Sequence, residues 1–224
     1  MSNQTGIPAD LHSIFEQLKQ DVMVLFMHWS LYCQLFTKGP ERVELLNCNA
    51  GLFFAHLQNV YANYTILSIC RITDRTRTSV RRTMRDNLVL KQLIERLDAQ
   101  QYPILHQEML DLYSKVDDDL QPFQDNRNWV IAHRDMQAAL PVNTQIVPGI
   151  TKAMIEKKLA QISNYLNHFE YFTYNQTTLY DMVITSGNGD YLVTALKKAY
   201  EYNQMVTADE IPRSRLLQSR YWKA

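Results

Sequence analysis

The stretch "ERVELLNCNAGLFFAHLQNVYANYTILSICRI", residues 41–72, decides the fold class of this chain. It contains a single glycine and no proline, and its apolar residues recur at spacings of three and four rather than in alternation. One helical face collects a row of apolar side chains: Phe53, Leu57, Val60, Tyr64 and Leu67. The pattern predicts a helix that begins just after Pro40 and is long enough to span a domain.

The rest of the chain carries the same pattern. Six glycines and seven prolines in 224 residues leave long intervals without helix breakers. Ser13 and Glu16 form a possible capping box for the first helix, and Pro122 leaves open whether its surroundings form one kinked helix or two in series. No strand is predicted. The further helices are predicted over residues 10–36, 87–99, 104–120, 123–135, 152–174 and 190–205.

These elements predict an all-α fold. We expect an antiparallel up-and-down helical bundle with long helices over residues 1–180, followed by a C-terminal helical extension and basic tail over residues 181–224. Such a fold does not by itself define a function.

Composition excludes several classes of protein. A content of 46% hydrophobic and 21% charged residues is ordinary for a globular domain, and 23 basic against 23 acidic residues create no global field for nucleic acid. Three cysteines without a CxxC pair suggest neither a disulfide framework nor a zinc site. The N-terminus has no signal-peptide pattern, and no apolar run reaches the roughly 18 residues of a membrane helix. We therefore expect a soluble cytoplasmic protein that does not contact membranes.

The segment "RNWVIAHRD", residues 127–135, carries the most chemistry. With 3.6 residues per turn, Arg127 and His133 lie roughly 120° apart around a helix and do not form a simple pair. Arg134 and Asp135 end the segment. Taken alone, it is explained by a packed helix whose terminal basic residues favour the negative end of the helix dipole.

A family resemblance changes this interpretation. Arg127, the polar Asn128 and His133, on the last helix of a bundle, resemble the R-x(4 to 6)-H signature of the HEPN superfamily. The form RN-x-x-x-AHRD is similar to the bacterial abortive-infection AbiU subgroup. In that subgroup, segments like "ICRITD" (69–74) and "DNLVLKQLIERL" (86–97) precede the motif in this order. The resemblance covers roughly residues 10–175.

The resemblance implies a metal-independent endoribonuclease without cofactor, often the toxin half of a defence or toxin-antitoxin pair, built as a two-fold homodimer. A nucleotidyltransferase-like antitoxin is a possible partner. In the implied site, His133 moves a proton at the ribose or the leaving oxygen, and Arg127 stabilises the charge that develops on phosphorus. Asn128 orients the phosphate or stabilises the helix end, and Asp135 supports the site.

A basic connector, "RITDRTRTSVRRTMRD" (71–86), is the second candidate. We expect it to bind the RNA backbone together with Arg134, although a solvated loop explains it equally well. Asp74 either supports the site from the second helix or caps that helix against a neighbouring arginine. The connector's candidate RNA-binding residues are Arg71, Arg75, Arg77, Arg81, Arg82 and Arg85.

Other interpretations stay open. The chain is alternatively a HEPN-like module that binds RNA or nucleotide without cutting, or a helical scaffold that docks a partner through its basic, aromatic tail. The acidic run Asp117 to Asp119 is more typical of a solvated helix end than of a metal cluster. The extension after residue 180 could cover the cleft, bind an antitoxin or lengthen the dimer interface. Four further histidines are interpreted as edge-of-core residues: His28, His56, His106 and His168.

Overall fold

The computed structural model describes residues 7–132, 149–182, 187–208 and 210. Over this part of the chain the all-α prediction is confirmed, and the only sheet described there is one antiparallel hairpin. None of the described helices combines the length and apolar character that a membrane crossing requires. The elements are α1 (Ala9–Phe36), α2 (Pro40–Ile72), β1 (Arg77–Val80), β2 (Thr83–Asp86), α3 (Lys91–Arg96), α4 (Pro103–Asp117), α5 (Gln121–Asn126), a π-helical segment (Arg127–Ala132), α6 (Lys152–Tyr174) and α7 (Gly189–Thr207).

The chain packs as two compact units. The described part of the first unit comprises residues 7–29, 62–132 and 149–182, and that of the second comprises residues 30–61, 187–208 and 210. The division into a bundle over residues 1–180 and an extension over residues 181–224 stays a prediction.

The core of the first unit is built mainly from α1, the carboxyl-terminal half of α2, α3, α4 and α6. The rings of Phe15 and Phe169 pack 5.1 Å apart, centroid to centroid. Beside them, Lys19 forms an ion pair with the buried Glu170, whose second carboxylate oxygen accepts a hydrogen bond from Thr178 at 2.8 Å. Because both oxygens have donors, the charge is tolerated in the core. The predicted inward face of α3 is confirmed, since its four apolar residues are at most 5% exposed: Leu90, Leu93, Ile94 and Leu97.

The second unit has a smaller core of its own. Leu35, Leu46 and Phe54 are buried there, and Val193 and Leu196 of α7 pack against them. Two ion pairs stabilise the start of α7. The carboxylate of Asp190 accepts hydrogen bonds from Arg42 at 2.6 Å and from Lys38 at 2.7 Å. These two cations lower the pKa of Asp190.

One sequence-based expectation about the first helices is wrong. Ser13 lies inside α1 and donates to the carbonyl of Ala9, four residues earlier, so it does not cap the helix.

Helix α2 is interrupted at Ala50, which has non-helical angles (φ −158°, ψ 61°). The apolar row of α2 lies after this residue and is largely open, with Phe53 60%, Val60 45% and Leu67 38% exposed.

The hairpin was not predicted from the sequence. Its strands pair from Arg77 opposite Asp86 to Val80 opposite Thr83, and the two turn residues are Arg81 and Arg82. Both turn residues have positive φ, 49° and 68°. This is the geometry of a two-residue turn in which Asn-Gly is the preferred pair, so two arginines are strained there.

The segment around Pro122 forms two helices in series. Asp118 is extended at the end of α4 and Asp119 has a φ of 58°, which ends the helix. Pro122 lies in the first turn of α5, where its missing N–H leaves no helical hydrogen bond unmade. The chain therefore changes direction before the proline, and α5 itself is regular up to Asn126.

A buried lysine of α6 holds the end of α4. Lys158 is 1% exposed, and its ammonium donates to the carbonyls of Val116, at 2.7 Å, and of Asp118. These carbonyls belong to the final turn of α4, which has no later helical N–H groups to bind. Burial lowers the pKa of Lys158. Lys158 thus fixes the point from which the chain enters α5.

Replacing Lys158 by methionine keeps the apolar stem but removes the donor. We expect Lys158→Met to lower the free energy of unfolding by about 1–3 kcal/mol, because two carbonyl oxygens are left without their partner. Urea unfolding followed by circular dichroism measures this change. The matched control is Lys157→Met, which removes an exposed pair with Asp119 and should leave the midpoint almost unchanged. Equal midpoints for the two variants would contradict the capping role.

Candidate functional site

The first unit contains a cavity of about 500 Å³ at the carboxyl end of α2. Its walls also come from α3, α4, α5 and the π-helical segment. Three basic side chains, two carboxylates, two amides, two threonines and one phenol face it. The lining residues are Thr73, Asp74, Arg75, Thr76, Lys91, Tyr113, Asp117, Gln124, Arg127 and Asn128.

Asp74 joins the two parts of the chain that meet at this cavity. One carboxylate oxygen accepts the backbone N–H of Arg75 at 2.8 Å, which closes the end of α2. The other accepts from a terminal nitrogen of Arg127 at 3.4 Å. Two roles were expected for Asp74: to support the site, or to cap α2 against a neighbouring arginine. Across the cavity its side chain contacts Arg127, and it does not contact the guanidinium of Arg71 or Arg75.

The guanidinium of Arg127 is oriented from two sides. Its Nε donates to the side-chain oxygen of Asn128 at 3.0 Å, and one terminal nitrogen contacts Asp74. The side chain is 27% exposed. An arginine offers five donors in a fixed plane, and its remaining N–H groups have no partner among the described residues, so an anion in the cavity can bind them.

Residues 127–132 form a π-helix rather than an α-helix. The angular separation expected between Arg127 and His133 assumed 3.6 residues per turn, and it involves His133, which lies outside the described residues. Asn128 and Val130 are exposed, and Trp129 and Ile131 are half-buried. The segment therefore presents Asn128 and Val130 to solvent. π-helical insertions are frequent at functional sites.

Three of the predicted site residues lie outside the described part of the chain. They are His133, Arg134 and Asp135. The roles assigned to them stay predictions.

The arginines of the connector divide into distinct environments. Arg75 lines the cavity. Arg71 is bound to Asp21 of α1 at 3.2 Å and Arg77 to Asp86 at 3.1 Å. Among the described residues, no ion pair involves the exposed guanidiniums of the hairpin residues Arg81, Arg82 and Arg85.

The hairpin is anchored at the rim of the cavity. Asn87 donates its backbone N–H to the carbonyl of Thr76 at 2.8 Å and its side-chain amide to the carbonyl of Arg75 at 2.7 Å. Thr76 in turn donates to Glu95 of α3 at 3.2 Å. The hairpin is thus attached to the rest of the unit at Arg75 and Thr76, which both line the cavity.

Sequence reasoning missed the wall of the cavity that α4 and α5 supply. Tyr113 and Asp117 lie four residues apart on α4, and Gln124 faces the cavity from α5. Burial, followed by the charges of Asp117, Glu95 and Asp74, raises the pKa of Tyr113 to about 12. The phenol therefore stays protonated at neutral pH. The i, i+4 spacing of Tyr113 and Asp117 was the available signal, but it is common in helices.

The thiol near this site is not a nucleophile. Burial raises the pKa of Cys70 to about 11, while the nearby charge of Arg127 acts in the opposite direction. Such a thiol is protonated at neutral pH and unreactive. The described groups that remain for chemistry at the cavity are guanidinium, ammonium, amide, hydroxyl and carboxylate.

Other polar side chains are bound elsewhere in the unit. His168 of α6 lies 2.9 Å from a carboxylate oxygen of Glu108, and the ring of His28 packs 4.2 Å from that of Tyr64. Within the described ranges there is no cluster of three or more side chains suited to hold a metal ion.

Comparison with known protein families identifies a matching family. A family model described as AbiU2, a HEPN-type family, matches residues 8–192. Neither a search of curated proteins nor a search of solved structures finds a match.

Proposed function

The chain belongs to the AbiU2 family of HEPN proteins, and from this membership we propose that it is a metal-independent endoribonuclease of a defence or toxin-antitoxin system. The observation that carries the proposal is the guanidinium of Arg127, held by Asp74 and Asn128 at the edge of a cavity. A fixed cation with free donors is the group that phosphodiester cleavage needs where negative charge develops.

The proposed reaction uses the ribose 2′-hydroxyl as nucleophile. Imidazoles exchange protons near neutral pH, so His133 is assigned the transfer of the proton from this hydroxyl or to the leaving 5′-oxygen. Arg127 binds the phosphate and stabilises the pentacoordinate state, and Asn128 keeps the guanidinium in its plane. The bond from phosphorus to the 5′-oxygen breaks, and the products carry a 2′,3′-cyclic phosphate and a 5′-hydroxyl. No metal ion takes part.

We propose that the active form is a two-fold dimer. Each chain offers an open π-helical segment, on which Asn128 and Val130 are exposed. A symmetric contact through this segment would bring the Arg127 and His133 side chains of both chains to one cleft. Asp135 would support the segment, and Arg134 would add a phosphate contact.

A second candidate function is RNA or nucleotide binding without cleavage. The observation that favours it is the described lining of the cavity, which offers phosphate donors in Arg75, Lys91 and Arg127 but no imidazole. In that case Arg127 and His133 bind the phosphate of the nucleic acid or nucleotide, and no cleavage product forms. An antitoxin of the nucleotidyltransferase type stays a possible partner in either case.

We expect the purified protein to cut single-stranded RNA in the presence of EDTA, with cyclic-phosphate ends. His133→Ala should lower the rate at least about 100-fold, which is the usual contribution of a general acid or base. Arg127→Lys should also be strongly impaired, because an ammonium cannot contact Asp74, Asn128 and the phosphate together. Gel assays with end-labelled RNA measure the rates.

The control for this experiment is Lys197→Ala, on α7, which should cut RNA at the wild-type rate. A His133→Ala protein that folds as the parent does and cuts RNA equally fast would refute the assignment. Binding of RNA without any product would favour the second candidate.

Mixing inactive variants tests the composite site. Arg127→Ala and His133→Ala are expected to be inactive separately. After unfolding and refolding together, about half of the dimers are mixed, and each holds one complete pair of Arg127 and His133 across the axis. We expect recovery of up to roughly a quarter of the wild-type rate. No recovery, with mixed dimers shown to form, would place both groups of a site in one chain.

We propose that the hairpin binds the RNA backbone beyond the cavity. Its turn has Arg81 and Arg82 in a conformation that suits Asn and Gly better. Residues that remain in strained positions are often functional. Arg85, on β2, adds a third exposed guanidinium.

The double variant Arg81→Asn with Arg82→Gly separates binding from stability. It relieves the turn, so the protein should be at least as stable as wild type. RNA affinity should fall, and the slope of log affinity against log salt should decrease by roughly 0.7 for each phosphate that the protein no longer binds. Fluorescence anisotropy over a salt series measures both.

The matched control, Lys197→Ala with Lys198→Ala, removes the same charge from α7 and should leave the salt slope unchanged. An unchanged slope in the hairpin variant would show that the hairpin does not contact RNA.

A further inference from the structure

The lining of the cavity combines cations with an unpaired carboxylate. Arg75, Lys91 and Arg127 provide the cations, and the carboxylate of Asp74 already accepts hydrogen bonds from the guanidinium of Arg127 and the backbone N–H of Arg75. Asp117 lines the same cavity from the last residue of α4. No hydrogen bond or ion pair to the Asp117 carboxylate is found among the described residues. The cavity thus offers cations for an anion and one carboxylate for donors.

The position of Asp117 is fixed by the packing of α4. Lys158 binds the carbonyls on either side of it in the chain, those of Val116 and Asp118. The next acidic residue, Asp119, is bound to Lys157 at 2.8 Å. Of the three acids of this run, only Asp117 lines the cavity. Its carboxylate also lies at the negative end of the helix dipole, where hydrogen-bond donors are favoured.

Two further groups face the cavity next to this carboxylate. Tyr113 lies one turn earlier on α4, and its ring makes an edge contact with the buried ring of Tyr165, 6.0 Å away between centroids. Tyr165 is itself held by a hydrogen bond from its hydroxyl to the carbonyl of Leu90 at 2.9 Å. The amide of Gln124 faces the same cavity from α5, so an acceptor and a donor are both present.

We propose that Asp117, Gln124 and Tyr113 form a base-reading subsite for guanine in single-stranded RNA, next to the phosphate contact of Arg127. The proposal rests on the proposed function for its phosphate side. Sequence-specific recognition of RNA commonly uses the Watson–Crick edges of unstacked bases together with aromatic side chains. A volume of about 500 Å³ is in the usual range for small-ligand sites.

The chemistry of the carboxylate selects guanine. On its Watson–Crick edge guanine presents two neighbouring donors, N1–H and the N2 amino group, which a carboxylate can accept together. Adenine and cytosine present one donor beside an acceptor, and uracil has one donor between two acceptors. The Gln124 amide can donate to O6 of guanine, and the Tyr113 ring and hydroxyl offer a contact beside the base.

The test uses short oligonucleotides that cannot be cut. Labelled 2′-O-methyl oligouridine hexamers with one central guanine, inosine or adenine are titrated against the full-length protein by fluorescence anisotropy. Inosine lacks only the N2 amino group. We expect the guanine oligomer to bind about tenfold more tightly than the inosine or adenine oligomer, the order of one bidentate contact. In Asp117→Asn this ratio should fall close to one.

The matched control is Asp111→Asn, which removes the same charge from α4 and keeps an oxygen for its contact with Gln107. It should retain the tenfold ratio. Because removing a negative charge strengthens all RNA binding, the ratio between oligomers is the readout and not the affinity itself. Equal binding of the three oligomers to the wild type, or a preference that persists in Asp117→Asn, would overturn the proposal.

Binding and cleavage separate the two proposals. A guanine preference in a protein that cuts no RNA would support the subsite and refute the nuclease. Cleavage of RNA without any guanine preference would support the nuclease and refute the subsite.

Discussion

One carboxylate connects the elements of the candidate site. Asp74 binds the N–H of the residue after it and the guanidinium of Arg127, 53 positions later in the chain. Through this contact the end of α2 and the π-helical segment meet at one cavity, to which α3, α4 and α5 contribute further walls. This contact adds to the hydrogen bond between the guanidinium and its own neighbour, Asn128.

The same ion pair explains how a cation can be positioned and still be available. A carboxylate at 3.4 Å, with 45% of its side chain exposed, is a weak partner in water. An incoming phosphodiester, whose single negative charge is spread over two oxygens, could share or replace it. In the proposed function, Asp74 would orient Arg127 before RNA binds and release part of it afterwards.

The polar side chains that line the cavity are positioned by buried contacts elsewhere in the first unit. Lys158 fixes the end of α4, and with it the carboxylate of Asp117. The buried ring of Tyr165 provides the surface against which the ring of Tyr113 packs. The hairpin shows the opposite case, since Arg81 and Arg82 occupy left-handed positions that other residues would fill at lower energy. Packing thus positions the polar side chains of Asp117 and Tyr113 at the cavity. In the hairpin, by contrast, Arg81 and Arg82 are retained although the backbone conformation of the turn disfavours them.

The sequence by itself determined the helical class, the bounds of α6, the buried face of α3 and the family, because periodic apolar spacing and a short motif are local properties. Only the tertiary structure decided which face of α2 is buried, since the row that periodicity selects is largely exposed while Ile66, Ile69 and Cys70 are buried. It also decided that Arg127 begins a π-helix and contacts Asp74, and that Asp117 faces the cavity. These results depend on contacts between residues far apart in the chain, and neither spacing nor composition contains that information.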